Sequence, residues 1–282
     1  MRRITPLRLV GLLEDFGLQV TLAPAAKPAE ALALVSAAVA DSSSTGLRVV
    51  VAGGDGTIHA VLPALEKTSV PLAILPVGSV NVLARELAVP RSLSDAARVA
   101  AQGVPRAVDL GRFSGRPFVL MAGLGFDGAV VHTVKGHIKR RLGTLIYLLN
   151  GLRLLLSHPP RRFHIICDDK PIETEAWQVV IANASSYTYR WSLAPQAKIN
   201  DGRLEVCVIP HAGAFKRIKQ VAAILLGRHR WAPVNYLSGG RIEIQTDEPV
   251  AVQLDGDPAP STDMAQIEII PQGLTVMVGE TR

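Results

Sequence analysis

Apolar residues recur at helical spacing through residues 5–17 (Leu7, Leu9, Val10, Leu12, Leu13, Phe16), and Gly17 closes that run. Leu18–Leu22 reads as a short strand, and the Ala-rich stretch Pro28–Ala40 as a helix. Asp41–Gly46 is a polar loop into Val49-Val50-Val51, a β-branched run of the kind that forms a buried parallel strand. A second such run is Leu72–Leu75. Each is followed by helical spacing, at Ile58, Val61, Leu62 and Leu65 and again over 81–87, and residues 91–104 read as a further helix. From Pro117 the pattern shortens to alternating strands at 118–122, 163–167, 177–181, 204–209, 241–245 and 251–254. Helical pieces at 138–157 and 215–227 interrupt them. Strands alternating with helices, then short strands with turns, predict an α/β unit followed by an antiparallel β-sandwich.

The joints between strand and helix carry the candidate chemistry. Val51-Ala52 breaks into Gly53-Gly54-Asp55-Gly56-Thr57, and a helix follows. Glycine lets an anion approach bare backbone, and the first N–H groups of a helix carry the positive end of its dipole. Asp55 would repel a phosphate unless a cation sits between them, which points to a metal-nucleotide site. A glycine-aspartate run is equally ordinary turn chemistry, so this stretch alone decides little. One βαβ repeat later, Pro76-Val77-Gly78-Ser79-Val80-Asn81 repeats the arrangement. Two such turns at neighbouring strand ends build one crevice. Ser79 or Asn81 could instead be a plain helix N-cap.

With these two turns, the following Leu83-Ala84-Arg85-Glu86-Leu87, and the later blocks Ala122–Asp127, Asn200–Leu204 and Leu254–Asp257, the chain resembles the diacylglycerol kinase/sphingosine kinase catalytic family in its bacterial lipid-kinase branch. The resemblance spans roughly residues 45–282. It implies a Rossmann-like NAD kinase/diacylglycerol kinase-like domain over 1–109, then a β-sandwich lipid-substrate domain over 110–273. The last strand, about 274–282, would return to the first domain, and the active cleft would lie between the two. ATP and Mg²⁺ are the implied cofactors. Gly53, Gly54, Gly56, Thr57, Gly78, Ser79 and Asn81 would hold the nucleotide, and Asp55 the metal. Asp255 and Asp257 would be the second acidic centre, with Asp257 as proton acceptor and its neighbour on metal or network duty. From spacing alone, Asp255-Gly256 is simply a favoured β-turn pair. The resemblance further implies a structural Mg²⁺ held by Asp201 with the carbonyls of Lys198 and Arg203, and an interdomain hinge at Phe126-Asp127.

Charge adds a surface. The chain of 282 residues has net charge +6, and no acidic residue lies between Asp127 and Asp168, where Lys135, Lys139, Arg140, Arg141, Arg153, Arg161 and Arg162 fall. That stretch fits anionic lipid headgroups as well as a merely solvated face. The expected partners are ATP and a lipid substrate at a membrane surface, with no nucleic acid and homodimerisation left open. Cys167 and Cys207 read as core residues of a reducing compartment, and no secretory signal or spanning helix is expected. The expected location is cytoplasmic, peripheral to the inner face of the membrane.

Departures from the family pattern set the alternatives. The first strand and its phosphate-touching turn have no counterpart, so either the chain is truncated at its start or that wall is lost. His59-Ala60 replaces Asn-Glu, Val82 replaces an Asp, and Asp257 replaces a Glu. One alternative is an NAD kinase-like enzyme, although no Asn-Glu dipeptide occurs. The other is a catalytically impaired lipid-binding or regulatory homologue.

Overall fold

The computed structural model describes residues 5–41, 46–133, 153–154, 156–188, 191–226 and 233–280. Two compact units divide the chain: Met1–Leu110 with Pro271–Arg282, and Gly111–Ile270.

The first unit is α/β. Helices α1 (Pro6–Glu14) and α2 (Pro28–Ala40) precede strand β1 (Val49–Gly53), then α3 (Asp55–Leu65), β2 (Leu72–Pro76), α4 (Val82–Glu86), α5 (Leu93–Gln102) and β3 (Val104–Phe113), which runs on into the second unit. β1 and β2 pair in parallel, Val51 opposite Ile74, with α3 as the crossover between them. Ile58, Val61, Leu62 and Leu65 of α3 are buried, as their spacing predicts. Leu18–Leu22 is not a strand: the Leu18 N–H closes α1 by donating to the Leu13 carbonyl at 3.2 Å, with Gly17 at φ 88°, and an irregular segment follows. Among the described residues no strand precedes β1.

The second unit contains β4 (Arg116–Phe118), β5 (Met121–Gly125), α6 (Phe126–Thr133), β6 (Arg161–Cys167), β7 (Lys170–Ala182), β8 (Ser186–Thr188), β9 (Trp191–Ser192), β10 (Leu204–Pro210), helix α7 (Ala214–Leu225), β11 (Asn235–Gly239), β12 (Arg241–Leu254) and, as far as Ile270, β13 (Asp257–Val278). The long strands β7 and β12 each change partner along their length. β12 pairs with β6 through Ile242–Thr246 and with β5 through Val252–Leu254, its register breaking between Gln245 and Val252. β7 does the same, with β6 through Lys170–Ala176 and with β5 through Gln178–Ala182. Such bends fold antiparallel strands over one core, here Phe163, Ile165, Val179, Ile181, Val206, Ile242 and Val252 among others. This is the β-sandwich-like unit expected, but β12 is one strand where two short ones were predicted. The predicted strand 118–122 is instead two, parted by the N–H groups of Val119, Leu120 and Met121 turning onto one carboxylate.

β13 returns to the first unit, where Val276 pairs in parallel with Leu72. Asp109 pins the two passages of the chain together there, its buried carboxylate accepting the Gln272 N–H at 2.7 Å. Among the described residues no helix is long and apolar enough to cross a membrane. Both cysteines are free and buried, and burial pushes the Cys207 thiol well above its ordinary range. Most of the expected helix 138–157 and its basic cluster lies outside the described residues; of the rest, Arg161 is ion-paired with Glu248 at 2.7 Å.

Candidate active site

In the first unit, the two glycine turns fit into each other. Gly78 N–H donates to the Gly53 carbonyl at 3.3 Å, and a Cβ on Gly78 would lie 2.5 Å from the Gly54 Cα. A Cβ on Gly53 would lie 2.7 Å from the Thr57 side chain. Both positions exclude any larger residue, which accounts for glycine on each turn.

Gly54 is the N-cap of α3, so Asp55, Gly56 and Thr57 form its first turn. The Thr57 N–H already donates to the Gly54 carbonyl at 3.0 Å, which leaves its hydroxyl as its polar offering. The half-buried Asp55 carboxylate reaches across to α4 and accepts the Leu83 N–H at 3.1 Å. This is the N-cap of α4, supplied from another helix. Neither Ser79 nor Asn81 caps it by side chain: Asn81 is left-handed (φ 53°), and its Nδ2 donates to the Pro76 and Gly78 carbonyls at 3.3 and 2.8 Å. Asn81 thus braces the second turn, and among the described residues its Oδ1 is buried without a hydrogen-bond partner. A groove of about 420 Å³ opens along this turn, lined by Val77, Gly78, Ser79, Asn81, Arg85 and Arg91 among others.

In the second unit, Asp255-Gly256 is the two-residue turn between β12 and β13, with φ of 50° and 87°. The Asp255 carboxylate is buried and accepts the N–H groups of Val119, Leu120 and Met121 at 2.8, 2.8 and 3.0 Å. It is therefore an anchor of the fold. Asp257 is half-buried at the first position of β13.

Two buried amides that the sequence reading passed over hold this turn. Gln253 Oε1 accepts the Gly256 N–H at 2.7 Å, while its Nε2 donates to Asp127 Oδ2 at 3.1 Å. Gln178 Oε1 accepts the Asp127 N–H at 2.8 Å. Asp127 is thus buried in a hydrogen-bonded network. Phe126 packs edge-on to Trp177 with ring centroids 5.2 Å apart. A polar Gln253 inside the apolar run Val250–Leu254 was the signal available.

Asp201 sits in an exposed turn, where its Oδ1 accepts the Arg203 N–H at 3.1 Å; Lys198 is exposed nearby in sequence. Among the described residues no group of three or more His, Cys, Asp or Glu side chains could hold a metal ion.

A diacylglycerol kinase catalytic domain matches residues 2–113, and a YegS C-terminal NAD kinase beta sandwich-like domain matches residues 121–278. A protein of Bacillus subtilis named diacylglycerol kinase is 30% identical over 74% of this chain and 70% of its own length. A protein of Chromohalobacter salexigens named as a probable YegS-like lipid kinase is 30% identical over 77% and 72%. The chain spans only 54% of the length of a further relative, from Synechocystis. A Bacillus anthracis diacylglycerol kinase structure superposes with a TM-score of 0.71 at 20% identity, covering 98% of this chain and 89% of that one, and so shares the fold. By its two matched domains and its relatives, the chain belongs to the diacylglycerol kinase and YegS-like lipid kinase family.

Proposed function

We propose that the protein transfers the γ-phosphoryl group of ATP to a hydroxyl of diacylglycerol or a related lipid, with Mg²⁺. The observation that carries this reading is the close seat of Gly78 on Gly54, with Asp55 at the same turn. Beside this contact the exposed Gly56 and Thr57 open the first turn of α3, and the half-buried Asp55 carboxylate stands with them, so the residues present fit a phosphate accompanied by a cation. Phosphoryl transfer asks mainly for positioning and charge neutralisation, which two interlocked glycine turns are built to supply.

In this reading Gly54, Gly56 and Gly78 offer backbone, and the Thr57 and Ser79 hydroxyls offer donors to phosphate oxygens. Mg²⁺ at Asp55, completed by water, would neutralise the phosphate charge. Asp257 would take the proton of the lipid hydroxyl, and Asp255, Gln253 and Asp127 would hold its turn in place. The Asp201 turn, with the Lys198 and Arg203 carbonyls, stays a proposed structural Mg²⁺ site.

The test is transfer of labelled phosphate from Mg·ATP onto a panel of micellar lipids offered together with NAD⁺. Labelled lipid is expected. Labelled NADP⁺ with unlabelled lipids would overturn the reading.

A further inference from the structure

Helix α7 departs from an ordinary surface helix in two of its buried residues. A surface helix turns its apolar stripe to the core and its charges to water. Here the buried side carries Arg217 and Gln220 beside Ala223. Arg217 lies over the Trp177 ring at 5.8 Å, donates from Nε to the Ala212 carbonyl at 2.8 Å and from Nη1 to the His158 carbonyl. Gln220 Oε1 accepts the Trp177 indole N–H at 3.3 Å.

The opposite side exposes Ile218, Ala222 and Leu226, spaced at i, i+4 and i+8 on one stripe. Ile218 is 41% and Leu226 69% exposed, so these side chains serve no core of this unit. The stripe continues past the last residue of α7, because Leu226 N–H still donates to the Ala222 carbonyl at 3.0 Å. Exposed Lys219 and Lys216 lie to one side of it. Leu156, 43% exposed, stands two residues before the His158 whose carbonyl Arg217 holds. In sequence, Val206–Ile242 contains no acidic residue but six Lys and Arg.

The geometry points to this face as a docking surface for an anionic lipid bilayer. A narrow apolar stripe bordered on one side by lysines suits the plane of the interface, with Ile218 and Leu226 below the headgroups and the lysine stems reaching up to phosphates. Charge argues against a second copy, since a symmetric contact through this face would set Lys216 and Lys219 against their own counterparts. The inference deepens the lipid-kinase reading by naming the surface through which substrate in a bilayer is reached, but vesicle binding can be measured without it.

The experiment is sedimentation with phosphatidylcholine vesicles, with and without phosphatidylglycerol. Wild type is compared with Ile218→Gln/Leu226→Gln and with Lys216→Gln/Lys219→Gln, each first shown to keep its unfolding midpoint. Wild type is expected to bind the anionic vesicles, and each double variant about tenfold more weakly. Phosphate transfer to diacylglycerol in detergent micelles is expected to be unchanged in both variants. If wild type binds vesicles through these residues yet phosphorylates no lipid, the kinase reading falls and the docking surface stands. Undiminished vesicle binding by both variants, or a dimer that Ile218→Gln/Leu226→Gln dissociates, would overturn the docking surface.

Discussion

The Asp55 carboxylate accepts the Leu83 N–H at 3.1 Å, so the acid of the first glycine turn caps the helix that follows the second. One side chain thus ties two helix N-termini together while keeping a second oxygen for other work. Asp55→Asn retains an acceptor for Leu83 and removes the charge. Its stability is expected to stay within about 1 kcal/mol of wild type, while turnover falls at least about 100-fold. Asp55→Ala should lose both. Thermal unfolding beside a phosphate-transfer assay separates the two effects, and equal destabilisation by Asn and Ala would contradict the capping role.

Gly78→Ala places a methyl group 2.5 Å from the Gly54 Cα, a distance that forces the turns apart. An expected cost of about 2 kcal/mol follows from overpacking of this kind. Protection of the fold by Mg·ATP should be lost with it, read as an unfolding midpoint that no longer rises with nucleotide. A variant still protected like wild type would show that the two turns do not form the nucleotide site.

The acids of the β12–β13 turn should divide cleanly. Asp255→Ala strands three buried N–H groups, with an expected destabilisation on the order of 4 kcal/mol. Asp257→Asn should leave stability within about 0.5 kcal/mol and lower turnover by roughly 100-fold or more. Denaturant unfolding and turnover of both variants check this, and a reversed pattern would exchange their roles.

His158 gives a pH dependence with a definite sign. Burial first, then the charges of Arg217 and Arg161, hold its pKa down at about 4 against an ordinary 6.5. The unfolded chain therefore takes up that proton more readily, and stability falls as pH drops from about 6.5 towards 4. Unfolding midpoints measured across this range should fall more steeply for wild type than for His158→Gln. Parallel curves would show that His158 is not the group responsible.

Much of this was legible in the sequence because local pattern and tertiary use coincide. Pro28–Ala40 is the helix its alanines predict, and β1, α3 and β2 follow the run from Val49 to Leu75 closely. What escaped depended on partners far along the chain. Leu18–Leu22 has strand-forming residues but no strand to pair with, since its first N–H closes α1. The break after Phe118 is set by Asp255, more than 130 residues later. Asn81 looks like a cap, yet its left-handed backbone turns its amide back to Gly78 and leaves α4 to Asp55. Gln253 looks like one polar residue in a strand, and only the folded chain shows it joining Asp127 to Gly256.

The most direct test of the whole account is transfer of labelled phosphate from Mg·ATP to diacylglycerol by wild type, Asp55→Asn and Asp257→Ala under one set of conditions, with each variant confirmed as folded. Labelled lipid from wild type and at least about 100-fold less from each variant is the predicted result. Wild-type rates from either variant, or no labelled lipid from wild type, would contradict the account.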